Sequence, residues 1–295
     1  MKPQLARGVV PSYPKIKDLK EEDMAKGNYA SVGDGWIFCG KVSPVLPAGI
    51  YKAERHINEP ILKPVTLNTD APIAIPGSVA EKISKEVSHF WTLSTKYDEM
   101  GVLHKRGILM YGPPGSGKTS TAVTVARKVV EDDGVVFVLA GDDFHQLKQG
   151  ILLLRKREER RPVLVLFEDL DNLVEDGYEE MFLSFLDGED QVNHIAFLAT
   201  TNSLEALGER IINRPCRFDV VLEVGMPTLT ERIAYLTARL KDEQEAKKWA
   251  KETDGMSLAH LREMVVGVKC MGETHTDVLK RLRSMMDRKI EVKKN

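Results

Sequence analysis

The sequence predicts an α/β fold in which a parallel sheet is sandwiched by helices, with a small helical C-terminal domain and a small β-rich N-terminal module. Three observations lead to this prediction. From Gly107 onward, short apolar runs alternate with helical segments, which is typical of strand–helix–strand units. The run VLVLF at 163–167 is continuously apolar, as expected for a parallel strand covered on both faces. After Thr228 the apolar residues recur only at helical spacing.

Composition and charge are those of a soluble globular protein. The chain has 295 residues, of which 42% are apolar and 29% charged, and its net charge of −2 gives no overall basic field to favour nucleic acid. No apolar run approaches the roughly 18 residues that a membrane span needs. The three cysteines lie far apart without metal or redox spacing, which favours reduced thiols. We therefore expect a cytoplasmic protein with no membrane partner.

Changes of composition divide the chain into four parts. Residues 1–30 form a polar arm, and residues 31–76 form a small β-rich module of short apolar runs punctuated by Pro and Gly. Residues 77–227 form the α/β core, and residues 228–295 form the helical C-terminal domain. Ser78 is the expected N-cap of the first core helix, and the basic end of the chain is expected to be a solvated tail.

A glycine-rich loop joins the first core strand to the following helix. It fits the pattern G-x-x-x-x-G-K-S/T, in which backbone N–H groups surround a phosphate chain and the helix directs its positive end to the same place. Lys118 would reach the β- and γ-phosphates, and the Thr119 hydroxyl would bind Mg²⁺. The alternative is a glycine-rich turn with a lysine nearby by chance, and the strand–loop–helix context argues against it. The predicted nucleotide-binding residues are Gly112, Pro113, Pro114, Gly115, Ser116, Gly117, Lys118, Thr119 and Ser120.

Two acidic residues follow the apolar run at 163–167. Glu168 and Asp169 would lie at the carboxyl end of a strand, which is the edge where open α/β sheets bind ligands. One carboxylate would hold Mg²⁺, and the other would orient and deprotonate the attacking water. The alternative is that the pair only caps the next helix, a role that Asp171 would share. Their position beyond a phosphate-binding loop favours catalysis.

From about Trp91 to the C-terminus the chain resembles AAA ATPases of the AAA+ superfamily. GILMYGPPGSGKT resembles Walker A, VLVLFEDLD resembles Walker B, and FLATTN resembles sensor 1, with Asn202 in the water-polarising position. The segment 186–188 is similar to the inter-subunit signalling segment of the family. NRPCRFD is similar to the R-P-G-R-F-D box, which would make Arg214 and Arg217 arginine fingers that reach the ATP of the neighbouring subunit. Local salt bridges are the alternative for these two arginines.

The resemblance implies an ATPase that uses ATP and Mg²⁺ and assembles with copies of itself, as a hexameric ring in this family. Most members write the acidic pair as Asp then Glu, so position implies Glu168 with Thr119 on the metal side and Asp169 as the base, and leaves open whether both carboxylates share the work. The Glu–Asp order is most like the branch of the mitochondrial Rieske-protein translocase. Those relatives carry an N-terminal membrane anchor, and no anchor is expected from this sequence, so membrane translocation is not carried over.

Some segments depart from the family pattern. Cys216 replaces the usual glycine between the two arginines, and no clear sensor-2 arginine is found, Arg262 being a candidate. Threading members of the family carry an aromatic residue in the loop after the second strand, in a K-[YF]-V-G pattern, whereas the matching stretch here, residues 147–150, reads LKQG, with Lys148 in place of the aromatic residue. We expect Phe144 to be a core residue rather than a displaced pore aromatic. These departures weaken unfolding by threading.

Three functions are compatible with these features. The first is a chaperone-like ring ATPase that remodels or translocates a protein substrate. The second is a motor or loader on DNA, for which Lys148 and the basic run RKREERR at 155–161 would supply contacts, although the mixed charge of that run favours a solvated helix face. The third is a scaffold whose assembly is gated by nucleotide. Protein remodelling is favoured over a nucleic-acid partner, and the sequence does not name the substrate.

Overall fold

The computed structural model describes residues 29–32, 35–38, 45–55, 60–67, 70, 73–139, 143–187, 191–212 and 217–287. Most of the predicted polar arm and the expected C-terminal tail lie outside the described residues. The same holds for Gly188 of the predicted signalling segment, for Arg214 and for Cys216.

The centre of the molecule is a seven-stranded sheet. Its strands are β3 (Gly49–Glu54), β4 (Ile61–Pro64), β5 (Lys105–Tyr111), β6 (Val135–Val138), β7 (Val163–Phe167), β8 (Ile195–Thr201) and β9 (Val220–Glu223). They lie side by side in the order β4-β3-β6-β7-β8-β5-β9, and all neighbours are parallel except β3 and β4. A separate antiparallel hairpin joins β1 (Tyr29–Val32) to β2 (Gly35–Phe38).

Helices cover both faces of the central sheet. They are α1 (Val79–Thr92), α2 (Ser94–Met100), α3 (Lys118–Glu131), α4 (Phe144–Arg157), α5 (Leu170–Glu175), α6 (Glu179–Asp187) and α7 (Leu204–Ile212). Successive residues of a strand point to opposite faces. Val165 of β7 accordingly packs in a core cluster with α4, α6 and α7, whereas its neighbour Leu164 packs in a second cluster with α1 and α3. The predicted α/β sandwich is therefore confirmed.

The C-terminal part is helical, as predicted. It contains α8 (Leu229–Leu240), α9 (Glu243–Glu252), α10 (Leu258–Val265), a short π-helix (Val266–Cys270) and α11 (His275–Met286). These helices enclose a third core cluster of their own, which includes Leu236, Trp249 and Leu261. Thr228 begins α8 with a capping box, because its hydroxyl accepts the Glu231 backbone N–H while the Glu231 carboxylate accepts the Thr228 N–H. We call this unit the lid. Within the described part of the chain, no helix is both long and apolar enough to cross a bilayer.

Part of the predicted N-terminal module belongs to the central sheet. Strand β3 pairs in parallel with β6, and its inward residues Tyr51 and Ala53 are buried against the core. Leu46 is held nearby, because its backbone N–H donates to the Glu158 carboxylate at 2.8 Å. The predicted boundary at residue 76 therefore does not separate β3 and β4 from the core. Alternation in a strand indicates which side chains face inward but not which sheet the strand joins.

Candidate functional site

The predicted phosphate-binding loop connects β5 to α3 at the carboxyl edge of the sheet. Gly115 and Gly117 have φ of 76° and 110°, in the left-handed region that favours glycine. A Cβ atom on Gly115 would lie 2.9 Å from Ser257 Oγ, and one on Gly117 would lie 2.8 Å from Leu258 Cδ1. The loop therefore needs glycine both for its turn and for its close approach to the lid.

Lys118 is buried at the first turn of α3. Its Nζ donates to the carbonyl oxygens of Gly112 and Pro113, at 2.7 and 3.1 Å, and to Asn202 Oδ1 at 2.7 Å. Burial lowers the pKa of Lys118, and the nearby charges of Asp169 and Asp171 oppose this effect. The ammonium group thus lies within the loop and beside the sensor-1 candidate.

Glu168 lies at the end of β7 beside the loop. Burial raises the pKa of Glu168, a hydrogen bond with the Thr119 side chain lowers it, and the negative charge of Asp169 raises it. Thr119 and Glu168 together offer a hydroxyl and a carboxylate oxygen, which are the hard donors that Mg²⁺ prefers. These two residues fit the predicted metal site.

Asp169 precedes α5 directly and has a left-handed backbone, with φ of 50° and ψ of 56°. Although it occupies the N-cap position, its side chain makes no capping hydrogen bond. Its carboxylate instead accepts Asn202 Nδ2 at 3.4 Å, and its backbone N–H donates to Thr200 Oγ1 at 3.0 Å. Helix capping is therefore not what occupies this carboxylate.

Asn202 joins the loop to the acidic pair. It follows β8 directly and lies between Lys118 and Asp169, accepting a hydrogen bond from the first and donating one to the second. Its backbone N–H also donates to Asp171 Oδ1 at 3.4 Å. Asp171 is buried beneath the site, although the sequence suggested only a capping role for it. Thr200 was not singled out at all, since a threonine at the end of an apolar strand resembles any other β-branched residue.

Arg217 lies away from this group, on the side of the sheet that carries α6. Its side chain is 4% exposed, and its Nε donates to Asp187 Oδ2 at 2.8 Å. It also donates to the backbone carbonyl of Arg210. A Cβ atom on Gly107 would overlap the Arg217 carbonyl oxygen, so this backbone is closely packed. Asp219 adds two hydrogen bonds to Gly107, from its backbone N–H to the Gly107 carbonyl and from the Gly107 N–H to its carboxylate. Within one chain, Arg217 thus makes the local salt bridge that was its alternative role, and its finger role stays a prediction.

A cavity of about 600 Å³ opens between the loop and the lid. Its volume suits a nucleotide-sized ligand. Residues of the loop, the acidic edge, the lid and the segment before α1 line it, among them Ile75, Ser116, Lys118, Asp169, Asn202, Tyr235 and Arg262. Ser116 Oγ is buried without a hydrogen-bond partner, an orphaned polar group of the kind that a bound ligand satisfies. Arg262, the sensor-2 candidate, faces this cavity and pairs with Asp70 at 2.6 Å.

A glycine-rich loop that opens a helix, an ammonium group within it and paired carboxylates on the adjacent strand define a P-loop nucleotide hydrolase. Comparison with known proteins identifies the kind of nucleotide hydrolase more narrowly. Residues 108–226 match the model of the ATPase family associated with various cellular activities (AAA). The chain therefore contains an AAA ATPase domain, a kind of domain that hydrolyses ATP.

Curated relatives share this domain. The chain is 29% identical over 253 residues to the ATP-dependent zinc metalloprotease FtsH of Acidimicrobium ferrooxidans, covering 77% of this chain and 36% of the relative. It is 30% identical over 203 residues to the mitochondrial inner membrane i-AAA protease supercomplex subunit YME1 of Saccharomyces cerevisiae, covering 61% and 26%. It is 28% identical over 194 residues to the proteasome-activating nucleotidase of Aeropyrum pernix, covering 58% and 46%. The chain thus spans between a quarter and a half of the length of these relatives.

Proposed function

We propose that this chain is an ATP-hydrolysing ring ATPase that couples turnover to the remodelling or translocation of a protein substrate. The observation that carries the proposal is the chain of contacts from Lys118 through Asn202 to Asp169, at the wall of the cavity. It joins the group that would bind phosphate to the group that would activate water. The proposal covers the ATPase unit alone.

The loop would hold the triphosphate. Backbone N–H groups at the start of α3 and the positive end of that helix favour bound phosphates. Lys118 would exchange its contacts with the loop carbonyls for contacts with the β- and γ-phosphates. Thr119 and Glu168 would hold Mg²⁺, which neutralises phosphate charge when bound.

Asp169 would act as the general base. Its carboxylate would take a proton from a water that attacks the γ-phosphorus, while the bond to the ADP oxygen breaks and that oxygen leaves with its electron pair. Asn202 would orient the water, since its amide already contacts both Lys118 and Asp169. Both side chains lie on the cavity wall, so a water beside the γ-phosphate could reach them.

Arg214 and Arg217 are proposed to complete the site from the neighbouring subunit of a homo-oligomeric, hexameric ring. They would neutralise charge that develops on the transferred phosphoryl group. Arg217 would have to leave Asp187 to do so, which links the finger to the predicted signalling segment at 186–188. This assembly rests on the family resemblance, as does the likeness of the Glu168–Asp169 order to the Rieske-protein translocase branch.

A protein substrate is favoured over DNA by the state of the basic run at 155–161. Arg155 donates to the backbone carbonyls of Asn193 and Arg161, Arg160 pairs with Asp98 at 2.9 Å, and Arg161 is buried with Glu158. These guanidinium groups are engaged within the molecule, which leaves less charge for phosphate contacts. The names of the relatives, two proteases and a proteasome activator, point the same way.

Threading through an aromatic pore is not part of the proposal. Lys148, which takes the place of the pore aromatic, is half-buried within α4, and Phe144 is buried in the core as predicted. The stretch is a helix that packs on the sheet, with Gly150 close to Ala53. Remodelling without an aromatic grip at this position is the form that the described residues favour.

Complementation between two inactive variants tests the shared site. Lys118→Ala removes the lysine of the loop and keeps both proposed fingers. Arg214→Ala removes one proposed finger and keeps the loop. We expect each variant alone to lose turnover and an equal mixture to recover about a quarter of wild-type turnover, because that share of the seams combines an intact loop with an intact finger. Mass photometry would verify that mixed assemblies form. Mixed assemblies without recovered turnover would contradict the shared site.

The substrate class is tested by stimulation of phosphate release. An unfolded or misassembled model protein should raise turnover of the wild type and leave the Lys118→Ala variant inactive. Stimulation by DNA that falls steeply with salt would instead support the DNA motor.

A further inference from the structure

We propose that Thr200 is a positioning residue for ATP hydrolysis. Its buried hydroxyl accepts the Asp169 backbone N–H and thereby fixes the left-handed conformation that directs the Asp169 carboxylate toward Asn202. This inference rests on the proposed function, because it explains how the chain orients the base of that same site.

The Thr200 hydroxyl takes over where the backbone ladder ends. Strands β7 and β8 pair in parallel up to Phe167 and Ala199, and β7 ends there. The residues after β7 lead into α5, so the Asp169 N–H has no backbone partner on β8. Thr200 Oγ1 supplies one at 3.0 Å, and Thr200 is 1% exposed, so water cannot replace this acceptor.

The backbone of Asp169 needs such support. A left-handed conformation is unfavourable for an L-residue, although Asp and Asn tolerate it better than other residues with a side chain. Such a conformation persists where the surroundings determine it. Two hydrogen bonds hold the Asp169 backbone in place, one from its N–H to Thr200 and one from the Asn172 N–H to its carbonyl at 3.0 Å.

This conformation has a consequence for the carboxylate. An aspartate at the start of a helix ordinarily bonds the free N–H groups of the first turn. The Asp169 side chain does not, and its Oδ1 lies 3.4 Å from Asn202 Nδ2 instead. Aspartate is one methylene shorter than the glutamate most AAA proteins carry here, so its reach depends on where the backbone points it. The Thr200 contact sets that direction.

The test compares Thr200→Val with Thr200→Ser. Valine has nearly the shape of threonine but offers no acceptor, whereas serine keeps the hydroxyl. We expect Thr200→Val to lower kcat by about 10- to 100-fold through misplacement of the carboxylate, and to leave KM and the Kd of a fluorescent ATP analogue within about twofold. Thr200→Ser should recover kcat to within about threefold of the wild type. In the Asp169→Asn background, Thr200→Val should change residual turnover no further.

Thr253→Val is the matched control. Thr253 is a fully buried threonine in the lid whose hydroxyl donates to the Trp249 carbonyl at 2.8 Å, so its loss should lower the melting temperature without lowering kcat. Should Thr200→Val fail to fold, Thr200→Ala carries the same comparison with Thr200→Ser. A folded valine variant with wild-type kcat, an equal loss in the serine variant, or an undiminished loss in the Asp169→Asn background would overturn the proposal. Absence of turnover in the wild type would instead overturn the proposed function, and this inference with it.

Discussion

Strand β8 has a cluster of polar side chains at each of its two ends, one at the wall of a cavity and the other in the interior. At its carboxyl end, Asn202 joins Lys118 to Asp169 at the wall of the 600 Å³ cavity. At its amino end, His194 joins His104 in the interior, where the two rings meet through their Nδ1 atoms at 3.0 Å. We call the cluster at the cavity the open cluster and the buried one the closed cluster.

The tautomers of the histidine pair follow from their partners. His104 Nε2 lies 2.8 Å from the carbonyl oxygen of Phe90, which can only accept, so this nitrogen carries a proton. A neutral His104 then accepts at Nδ1, and His194 must donate from its own Nδ1. The two rings also pack against each other at a centroid distance of 5.1 Å, and the His104 ring stacks on Phe90 at 3.9 Å. Both Nδ1 atoms and His104 Nε2 thus have hydrogen-bond partners within the chain.

The two clusters differ in which hydrogen-bonding groups they leave available to a ligand. At the nucleotide edge, Ser116 Oγ is an orphan and Lys118 is bound to loop carbonyls that it could exchange for phosphate. At the opposite edge, His104 donates to the Phe90 carbonyl oxygen, and the Arg155 side chain donates to the Asn193 carbonyl oxygen. A polar cluster that completes its own hydrogen bonds stabilises the fold, whereas one that remains incomplete is available to a ligand.

The largest expected effect is a loss of ATP hydrolysis without a loss of ATP binding, at the open cluster. Asn tolerates the left-handed backbone as well as Asp does, so Asp169→Asn removes the charge without straining the chain. We expect phosphate release to fall by at least about 100-fold, while the Kd for ATP and the melting temperature stay close to wild type. Turnover and binding of a fluorescent ATP analogue would be measured side by side.

Glu175→Gln provides the control for this substitution. Glu175 is an exposed carboxylate at the far end of the same helix, α5, and the matching change from acid to amide there should leave turnover unaltered. An Asp169→Asn protein that hydrolyses ATP at the wild-type rate would place the base elsewhere.

The second prediction concerns the closed cluster and pH. Burial, with His104, Arg155 and Arg160 adding to it and Asp98 opposing, lowers the pKa of His194 from 6.5 to about 4. Because the unfolded chain binds the proton more tightly, this histidine stabilises the fold above pH 6.5, and that stability is lost as the pH falls toward 4. We expect about 2 kcal/mol of unfolding free energy to be lost through this group between pH 7.5 and 5. Denaturant unfolding at both pH values would measure it.

A substitution isolates the histidine from other titrating groups. His194 has a left-handed backbone with φ of 55°, so His194→Asn is the replacement that the chain conformation tolerates best. The variant should be less stable at neutral pH and should lose less stability on acidification than the wild type. His89→Gln, at an exposed position in α1, should keep the wild-type difference between the two pH values. An unchanged pH dependence in His194→Asn would show that this pair does not titrate with unfolding.

The two clusters also differ in how far the sequence predicts them. Lys118 and the acidic pair belong to local patterns of loop and strand, so their chemistry and their common edge could be expected before the structure. His104 and His194 are far apart in sequence, and they meet because β5 and β8 pair in a register that sets Lys105 beside Ile195. A register between distant strands leaves no signal in either one.

Contacts that cross between elements were missed for the same reason. Thr200 acts through a hydrogen bond to Asp169, which lies just beyond the end of the neighbouring strand, so the sequence of β8 shows nothing unusual. The placement of β3 beside β6 likewise follows from packing of Tyr51 and Ala53 on a sheet that begins much later in the chain. Motifs predicted the chemistry of the site, whereas its supporting contacts depended on the tertiary structure.

The smallest expected effect tests whether the open cluster extends to the lid side of the cavity. Asp70 accepts hydrogen bonds from Arg262 at 2.6 Å and from Arg239 at 3.5 Å, and all three residues line the cavity. Because its carboxylate neutralises part of this positive charge and would repel a triphosphate, Asp70→Asn should tighten ATP binding about two- to fivefold at low salt. The gain should shrink in 0.5 M salt, where the charges of exposed groups are screened over about 4–5 Å.

Glu243→Gln is the control for this substitution. It removes a comparable ion pair with Lys247, at 2.6 Å on α9 and outside the cavity lining, and should leave the Kd for ATP unchanged. Titration of a fluorescent ATP analogue at both salt concentrations decides the matter: equal or weaker binding by Asp70→Asn would mean that the lid arginines do not sense the nucleotide, and that the open cluster ends at the loop.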